Sequence, residues 1–239
     1  MKFVLTKKPK NPVIIQGFPS IGLVSTIVTK FLTDHLDVEE IGHIESKYIV
    51  PLTAIHKCKV INPITIFYNK KYNLVIIQSI TEVAGHEWDI AETIFEIATQ
   101  LSAKELIVVE GIPGTQEDKI KTFFCSSNSK VKVNTTPLNE GIIMGVTAAM
   151  LLRGENSKIP VTCLFAETHS QLPDSEAAAK IMEILTGYAK IKVDYKPLIA
   201  AAKKFEANLK MFIEKTRQQQ GGAQPATKKE EDGATSYIG

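Results

Sequence analysis

Residues 13–32 read VIIQGFPSIGLVSTIVTKFL. The apolar run that begins at Val13 ends in a turn of glycine and proline, and a longer apolar segment with several threonines follows. This order predicts a buried strand, a tight loop and a helix, which is how many α/β domains begin a phosphate-binding site. The loop therefore either binds a nucleotide or forms a structural corner between strand and helix.

The glycine loop lacks the residues that a nucleotide site requires. Gly17 and Gly22 have the spacing of the P-loop glycines, but Leu23 and Val24 occupy the positions of the lysine and hydroxyl residue that contact phosphate and magnesium. Pro19 removes a backbone N–H donor, and the second glycine of a dinucleotide fingerprint is missing. We interpret Gly17, Pro19 and Gly22 as a structural loop, while anion binding at the start of the following helix stays open.

A second loop of the same kind follows the apolar run LIVVE at residues 106–110. Gly111, Pro113 and Gly114 form this turn, and we interpret them as structural too. Both loops would emerge at carboxyl ends of strands, where α/β folds place their ligands. The alternative function is therefore a phosphorylase- or hydrolase-like enzyme for a nucleoside or small acyl substrate, with loops 17–22, 111–116 and 167–169 around its site.

Short apolar runs alternate with amphipathic segments, which predicts an α/β fold with a mostly parallel central sheet flanked by helices. We expect one such domain over residues 1–195. The predicted strands are 13–16, 41–49, 65–68, 74–79, 106–110, 130–133 and 161–166. The predicted helices are 21–35, 87–101, 139–153 and 175–187.

The chain changes character after residue 195. Apolar residues at alternating steps of three and four predict a long helix over 196–217, with Leu198, Phe205, Leu209 and Phe212 on its apolar face. The spacing fits a helix packed along the flank of the domain, and it also fits a helix at a subunit interface.

Residues 218–239 read QQQGGAQPATKKEEDGATSYIG and have no apolar periodicity. This composition predicts a disordered, flexible tail. The last three residues, Tyr237, Ile238 and Gly239, regain bulk and hydrophobicity, which is typical of a docking motif on a flexible arm.

Composition favours a cytoplasmic protein and excludes several kinds of partner. A formal charge of +2 and a single tryptophan argue against nucleic acid, and no apolar run approaches the ~20 residues that a membrane helix needs. Three scattered cysteines and five scattered histidines form neither a disulfide framework nor a metal motif. The N-terminus is too short and too polar for a signal peptide. No catalytic residue, metal or cofactor is predicted.

Five stretches of the sequence carry a likeness that spans roughly residues 13–198. In order they are GFPSIGLVSTIVTKFL, YIVPLTAIHKCKVINPITIFYN, ELIVVEGIPG, NEGIIMGVTAAMLL and CLFAETHSQLPDSEAAAKIMEIL. Together they resemble the archaeal relatives of the proteasome assembly chaperones, homologues of eukaryotic proteasome assembly chaperone 2.

This resemblance implies an α/β fold like that of nucleoside phosphorylases and related hydrolases, without known catalysis. It also implies a homo-oligomer that contacts proteasome α subunits. Several members of the family end in a tail with a hydrophobic residue, a tyrosine and any residue, which inserts between subunits of the α ring. In this sequence Tyr237 is third from the end and Ile238 is penultimate, so the tyrosine lies one position earlier than that pattern requires.

Overall fold

The structure, a computed structural model, describes residues 1–56, 58–114, 119–168 and 172–200. Strands and helices alternate along this part of the chain. Its strands are β1 (Lys2–Leu5), β2 (Val13–Gly17), β3 (Glu39–Glu45), β4 (Ala54–His56), β5 (Lys59–Ile61), β6 (Ile64–Asn69), β7 (Leu74–Ser79), β8 (Glu105–Pro113), β9 (Thr122–Ser126), β10 (Thr136–Pro137) and β11 (Val161–Thr168). Its helices are α1 (Val24–His35), α2 (Glu87–Gln100), α3 (Gly145–Glu155) and α4 (Ser175–Tyr188), and a 3₁₀ turn at Ile21–Leu23 precedes α1.

Nine of these strands form one mixed sheet in the order β1-β3-β6-β7-β2-β8-β11-β9-β10. Its centre is parallel, because β2 pairs in parallel with β7 and β8, and β8 pairs in parallel with β11. The flanking pairs β6–β7 and β9–β11 are antiparallel, and β4 and β5 form a separate hairpin. The prediction of a mostly parallel central sheet flanked by helices is confirmed. The central strands read as continuous apolar runs because both of their faces are covered.

Each face of the sheet packs against its own pair of helices. Side chains of β2 alternate between the two faces. Ile14 belongs to the same buried cluster as Ile94 of α2 and Met150 of α3. Ile15 belongs to a second cluster, with Val28 of α1 and residues of α4. The domain therefore has three layers, with α2 and α3 on one face of the sheet and α1 and α4 on the other.

The corner between β2 and α1 is built on glycine. A Cβ atom on Gly17 would lie 2.6 Å from the carbonyl oxygen of Ser25. Gly22 has a φ of +66°, and a Cβ atom there would lie 2.6 Å from Oγ1 of Thr168. Since a larger residue would collide at either position, the loop after β2 needs glycine for close packing.

The sequence prediction was wrong at residues 130–133 and displaced at one helix. It also missed the short strands β1, β4, β5 and β10, and the strand predicted over 41–49 ends at Glu45. Residues 130–133 do not form a strand, because the chain turns at Asn128. The side-chain oxygen of Asn128 accepts a hydrogen bond from the backbone N–H of Lys130. The strand in this region is β9, which begins eight residues before the predicted strand. It pairs with β11 in the antiparallel sense. Helix α3 begins at Gly145 rather than at 139, because Met144 is extended and Gly145 has a φ of +72°.

The C-terminal part of the chain is described only to residue 200. Residues 196–200 are helical, and Leu198 is 7% exposed within the cluster that contains α1 and α4. Phe205, Leu209, Phe212 and the tail with Tyr237, Ile238 and Gly239 lie outside the described residues. The boundaries 1–195, 196–217 and 218–239 therefore stay predictions. Among the helices described, none has the length and apolarity to cross a lipid bilayer.

Candidate functional site

Four polar residues lie near the carboxyl ends of the four parallel strands. They are Gln16 of β2, Ser79 of β7, Glu110 of β8 and Glu167 of β11. In each strand the residue two positions earlier belongs to the cluster with α2 and α3, so these four side chains lie on that face of the sheet. Open α/β sheets usually bind their ligands at the carboxyl ends of the parallel strands, which is where these four residues lie.

A cavity of about 180 Å³ opens at this edge. Its walls come from the end of β2, the loop between β7 and α2, the end of β8 and the start of α3. Among the residues that line it, three are carboxylates, Glu82, Glu87 and Glu110, and none is lysine or arginine. Phe18 and Val146 contribute apolar wall. The cavity therefore combines an acidic, hydrogen-bond-accepting part with an apolar part.

Gln16 is the most buried polar residue of the lining, at 1% exposure. It continues the apolar run of β2 and lies opposite Val108 of β8 in the sheet. Its Oε1 atom has no hydrogen-bond partner among the described residues. An unpaired acceptor in a buried position costs free energy, roughly 1–3 kcal/mol, unless another molecule supplies a donor.

Among the carboxylates of the lining, Glu110 has a pKa that its surroundings shift strongly. Burial raises the pKa of its carboxyl group to about 7, and a hydrogen bond donated by the hydroxyl of Thr147 offsets part of that rise. Thr147 lies in the first turn of α3, so the carboxylate also meets the positive end of that helix. Glu110 therefore titrates near neutral pH, well above the range of an exposed glutamate.

The loop between β7 and α2 forms the outer wall and is held by local hydrogen bonds. The hydroxyl of Ser79 donates to the carbonyl of Thr81 at 2.7 Å, and the backbone N–H of Gly85 donates to Oε1 of Glu87 at 3.1 Å. His86 Nδ1 lies 3.1 Å from Oδ2 of Asp89. The bond from Gly85 holds the carboxylate of Glu87, the first residue of α2 and part of the cavity lining.

The six predicted loop residues fall at this same edge of the sheet. A Cβ atom on Gly111 would lie 2.1 Å from the carbonyl oxygen of Ile21, and one on Gly114 would lie 2.8 Å from Cβ of Glu167. Pro113 ends β8. Of the β2 loop, Gly17 and Gly22 are the closely packed glycines described above, and Pro19 lines the cavity. These contacts support the structural interpretation, which stays a prediction.

The sequence did not indicate that Gln16, Glu110 and Thr147 would line one cavity. A signal for Gln16 was present, since an amide inside a fully buried apolar run requires a partner. Thr147 had no such signal, because its position depends on where α3 begins. In the part of the chain that the structure describes, no three His, Cys, Asp or Glu side chains are grouped to hold a metal ion.

A second feature is apolar and exposed. It comprises the β4–β5 hairpin and the chain that leads into it, which we call the hairpin surface. Ile55 and Val60 are cross-strand partners in the hairpin, and both are exposed. Tyr48, Val50 and Leu52 of the preceding segment are exposed as well. Large apolar side chains grouped in this way are typical of a protein-binding surface.

Together these features define a three-layer α/β domain with closely packed glycine corners, a small cavity at the strand ends and an exposed apolar hairpin. The model of the PAC2 family matches residues 14–213. The chain therefore belongs to the PAC2 family, and the resemblance found in the sequence is confirmed.

Known proteins show the same relationship. The chain is 27% identical over 224 residues to the uncharacterized protein MJ0106 of Methanocaldococcus jannaschii, an alignment that covers 90% of this chain and 91% of that protein. It shares its fold with PbaA of Pyrococcus furiosus, an archaeal homolog of proteasome-assembly chaperone, with a TM-score of 0.83 and 23% identity over 91% of this chain and 94% of that one. It also resembles PbaB of Pyrococcus furiosus, an archaeal proteasome activator, with a TM-score of 0.76 and 18% identity over 88% and 98% of the two chains.

Proposed function

We propose that this chain is a homo-oligomeric chaperone or adaptor of the proteasome, which acts by binding proteins and not by catalysis. The observation that carries the proposal is membership of the PAC2 family over residues 14–213. The fold shared with PbaA, a homolog of proteasome-assembly chaperone, and with PbaB, a proteasome activator, supports it. The folded domain is the binding platform, and the partners are the proteasome α subunits.

The hairpin surface supports self-association. Val60 and Ile55 are 71% and 65% exposed, which leaves the apolar side chains of a cross-strand pair in contact with water. Covering such side chains stabilises an assembly by about 25 cal/mol for each Å² of apolar area removed from water. We assign the hairpin surface to contact with a second copy of this chain.

The tail is the proposed docking element for the proteasome. Tyr237, Ile238 and Gly239 would bind between α subunits, with residues 218–236 as the tether. A flexible tether keeps the apolar tip at a high effective concentration near its target once the domain is bound. In the sequence order Tyr-Ile-Gly, the tyrosine ring and the isoleucine side chain supply the apolar contact.

Native mass spectrometry of the full chain mixed with 20S α subunits tests this function. The full chain should form a complex, and deletion of residues 237–239 should weaken it while the oligomeric state of the free protein stays the same. Replacing Ser236 by alanine leaves the tip intact and serves as the matched control. If neither the full chain nor the deletion variant associates with α subunits, the proposed function is wrong.

The cavity favours a second candidate, a phosphorylase- or hydrolase-like enzyme. Glu110 has a pKa near 7, which suits a general acid or base at neutral pH, and it lies at the strand ends where such enzymes bind substrates. Release of free base from a panel of nucleosides in the presence of phosphate tests this candidate. Turnover that is lost in Glu110→Gln would favour the enzyme, and no turnover in the native protein would exclude it for these substrates.

A further inference from the structure

The cavity at the strand ends has a chemistry that no part of the proposed function uses. Its polar side presents the carboxylates of Glu82, Glu87 and Glu110, and all of them accept hydrogen bonds when ionised. Its other walls include Phe18 and Val146, which are apolar and buried. A ligand that fits both parts has a hydrogen-bond donor at one end and a short hydrocarbon portion at the other.

The charge at the cavity favours a cation over an anion. The starts of α2 and α3 lie at its wall, and each helix N-terminus contributes roughly half a positive charge. Glu82 and Glu87 carry two negative charges, and Glu110 adds a third when it ionises. The negative charge therefore exceeds the positive charge of the two helix starts, although both start without a side-chain cap.

Gln16 provides an independent indication of a donor. Gln16 belongs to the lining at the end of β2, and its buried amide oxygen has no donor among the described residues. The carboxylates nearby are acceptors and do not satisfy another acceptor. A ligand with several N–H groups would pair with Gln16 and with Glu110 at the same time.

We propose that this cavity binds the ammonium group of a small primary alkylamine, with Gln16 and Glu110 as its hydrogen-bond acceptors. An ammonium group has three N–H donors, enough for these two acceptors and one more carboxylate. The alkyl portion packs against Phe18 and Val146. The cavity volume of about 180 Å³ leaves room for a small ligand of about five non-hydrogen atoms.

Binding depends on pH because Glu110 titrates near neutrality. Thr147 of α3 donates a hydrogen bond to Glu110, and the Cys163 thiol of β11, whose own pKa burial raises, interacts with it electrostatically. The other carboxylates of the lining are Glu82, in the loop before α2, and Glu87, in the first turn of α2. A bound cation favours the ionised carboxylate, so affinity rises as the pH passes through about 7. An alkylammonium ion stays charged over this range, as a lysine side chain does.

Titration of the ¹⁵N-labelled full-length protein, followed by NMR, tests the proposal. The probes are n-butylammonium, its neutral isostere 1-butanol and the anion butyrate, each at pH 6 and pH 8. We expect n-butylammonium alone to shift the amide signals of residues 145–147, with tighter binding at pH 8. Equal shifts with 1-butanol, preferential binding of butyrate, or no shift with n-butylammonium would each overturn the proposal.

Substitutions of the carboxylates in the lining test where the ammonium group binds. Glu110→Gln keeps the shape and the partner of Thr147 but removes the charge, and it should weaken n-butylammonium binding by about tenfold. Glu183→Gln, on the outer face of α4, is the matched control and should leave binding unchanged. If Glu110→Gln does not fold, Glu82→Gln combined with Glu87→Gln at the rim tests the same charge and should weaken binding severalfold. Unchanged affinity in the folded variants would overturn the assignment. The result does not depend on whether the chain binds α subunits.

Discussion

The hydroxyl of Thr147, in the first turn of α3, donates a hydrogen bond to the carboxylate of Glu110 at the end of β8. The two residues are 37 positions apart in the sequence, so the bond joins the sheet to the helix that covers it. It favours the ionised carboxylate, while burial favours the neutral acid and has the larger effect on the pKa. Glu110 thus links the pH of the solution to the packing of α3.

The first prediction concerns the pH dependence of stability. In the unfolded chain the Glu110 carboxyl ionises near its ordinary pKa of 4.5, and in the folded chain near 7. Between these values the folded state binds more protons, so the free energy of unfolding falls as the pH rises and remains lower above pH 7. We expect a loss on the order of 2 kcal/mol between pH 5 and 8, after allowance for partial exposure.

Urea denaturation of the native protein and Glu110→Gln at several pH values checks this prediction. The glutamine stays neutral, so the difference in stability between the two proteins should change by that amount over the range. Glu183→Gln, whose carboxylate is exposed, should keep the native pH dependence. The same pH profile in Glu110→Gln and the native protein would contradict the assignment of this pKa.

The second prediction concerns the contact between the two glycine loops. A Cβ atom on Gly111 would lie 2.1 Å from the carbonyl oxygen of Ile21, which is backbone and cannot move aside alone. Gly111→Ala should therefore lower the free energy of unfolding by roughly 3 kcal/mol or more. Gly187→Ala is the matched control, because a Cβ atom there meets no atom within 4 Å and alanine favours the helix. Thermal unfolding compares the two, and equal melting temperatures would show that the loops are not packed this closely.

The third prediction concerns the start of the C-terminal helix. Leu198 is 7% exposed and packs in the cluster with α1 and α4, whereas its neighbour Ile199 is 38% exposed. Leu198→Ala should cost roughly 2–4 kcal/mol of stability, and Ile199→Ala should cost less than about 1 kcal/mol. Chemical denaturation measures both. A larger loss at Ile199 would indicate that the helix turns its other face to the domain.

The fourth prediction concerns the hairpin surface. Replacing both Ile55 and Val60 by lysine places two positive charges on a cross-strand pair of exposed side chains. The variant should keep the native circular dichroism spectrum and have a smaller mass by size-exclusion chromatography with light scattering. Leu152→Lys adds a charge at an exposed apolar position on α3 and should leave the mass unchanged. An unchanged mass in the double variant would place the subunit contact elsewhere.

Local signals decided how far the fold could be predicted. Strands such as β2 and β8 were found because burial on both faces makes them continuous apolar runs. Gly17 and Gly22 marked the corner between β2 and α1. Strand β9 was missed because TFFCS is short and because Asn128 directs the KVKV segment that follows into a turn. The start of α3 was predicted too early because it depends on the backbone conformation of Gly145, which has a φ of +72°. The pattern of apolar residues does not report that conformation.

The candidate site was harder to predict because it is assembled by long-range contacts. Gln16 and Glu110 lie in strands that pair in register, but the sequence does not show that both face α3. The partner of Glu110 is set by where α3 begins. The pKa of Glu110 depends on burial, which follows from the packing of three separate segments and from no single motif.

The central claim is that the chain binds the proteasome through its folded domain and its tail. Association with isolated 20S α subunits, measured by native mass spectrometry for the full chain and for the variant without residues 237–239, tests it most directly. We predict a complex with the full chain that is markedly weaker, though the domain remains folded, when Tyr237, Ile238 and Gly239 are removed. Equal complex formation by both proteins would contradict docking by the tail, and no complex with either would contradict the proposed function itself.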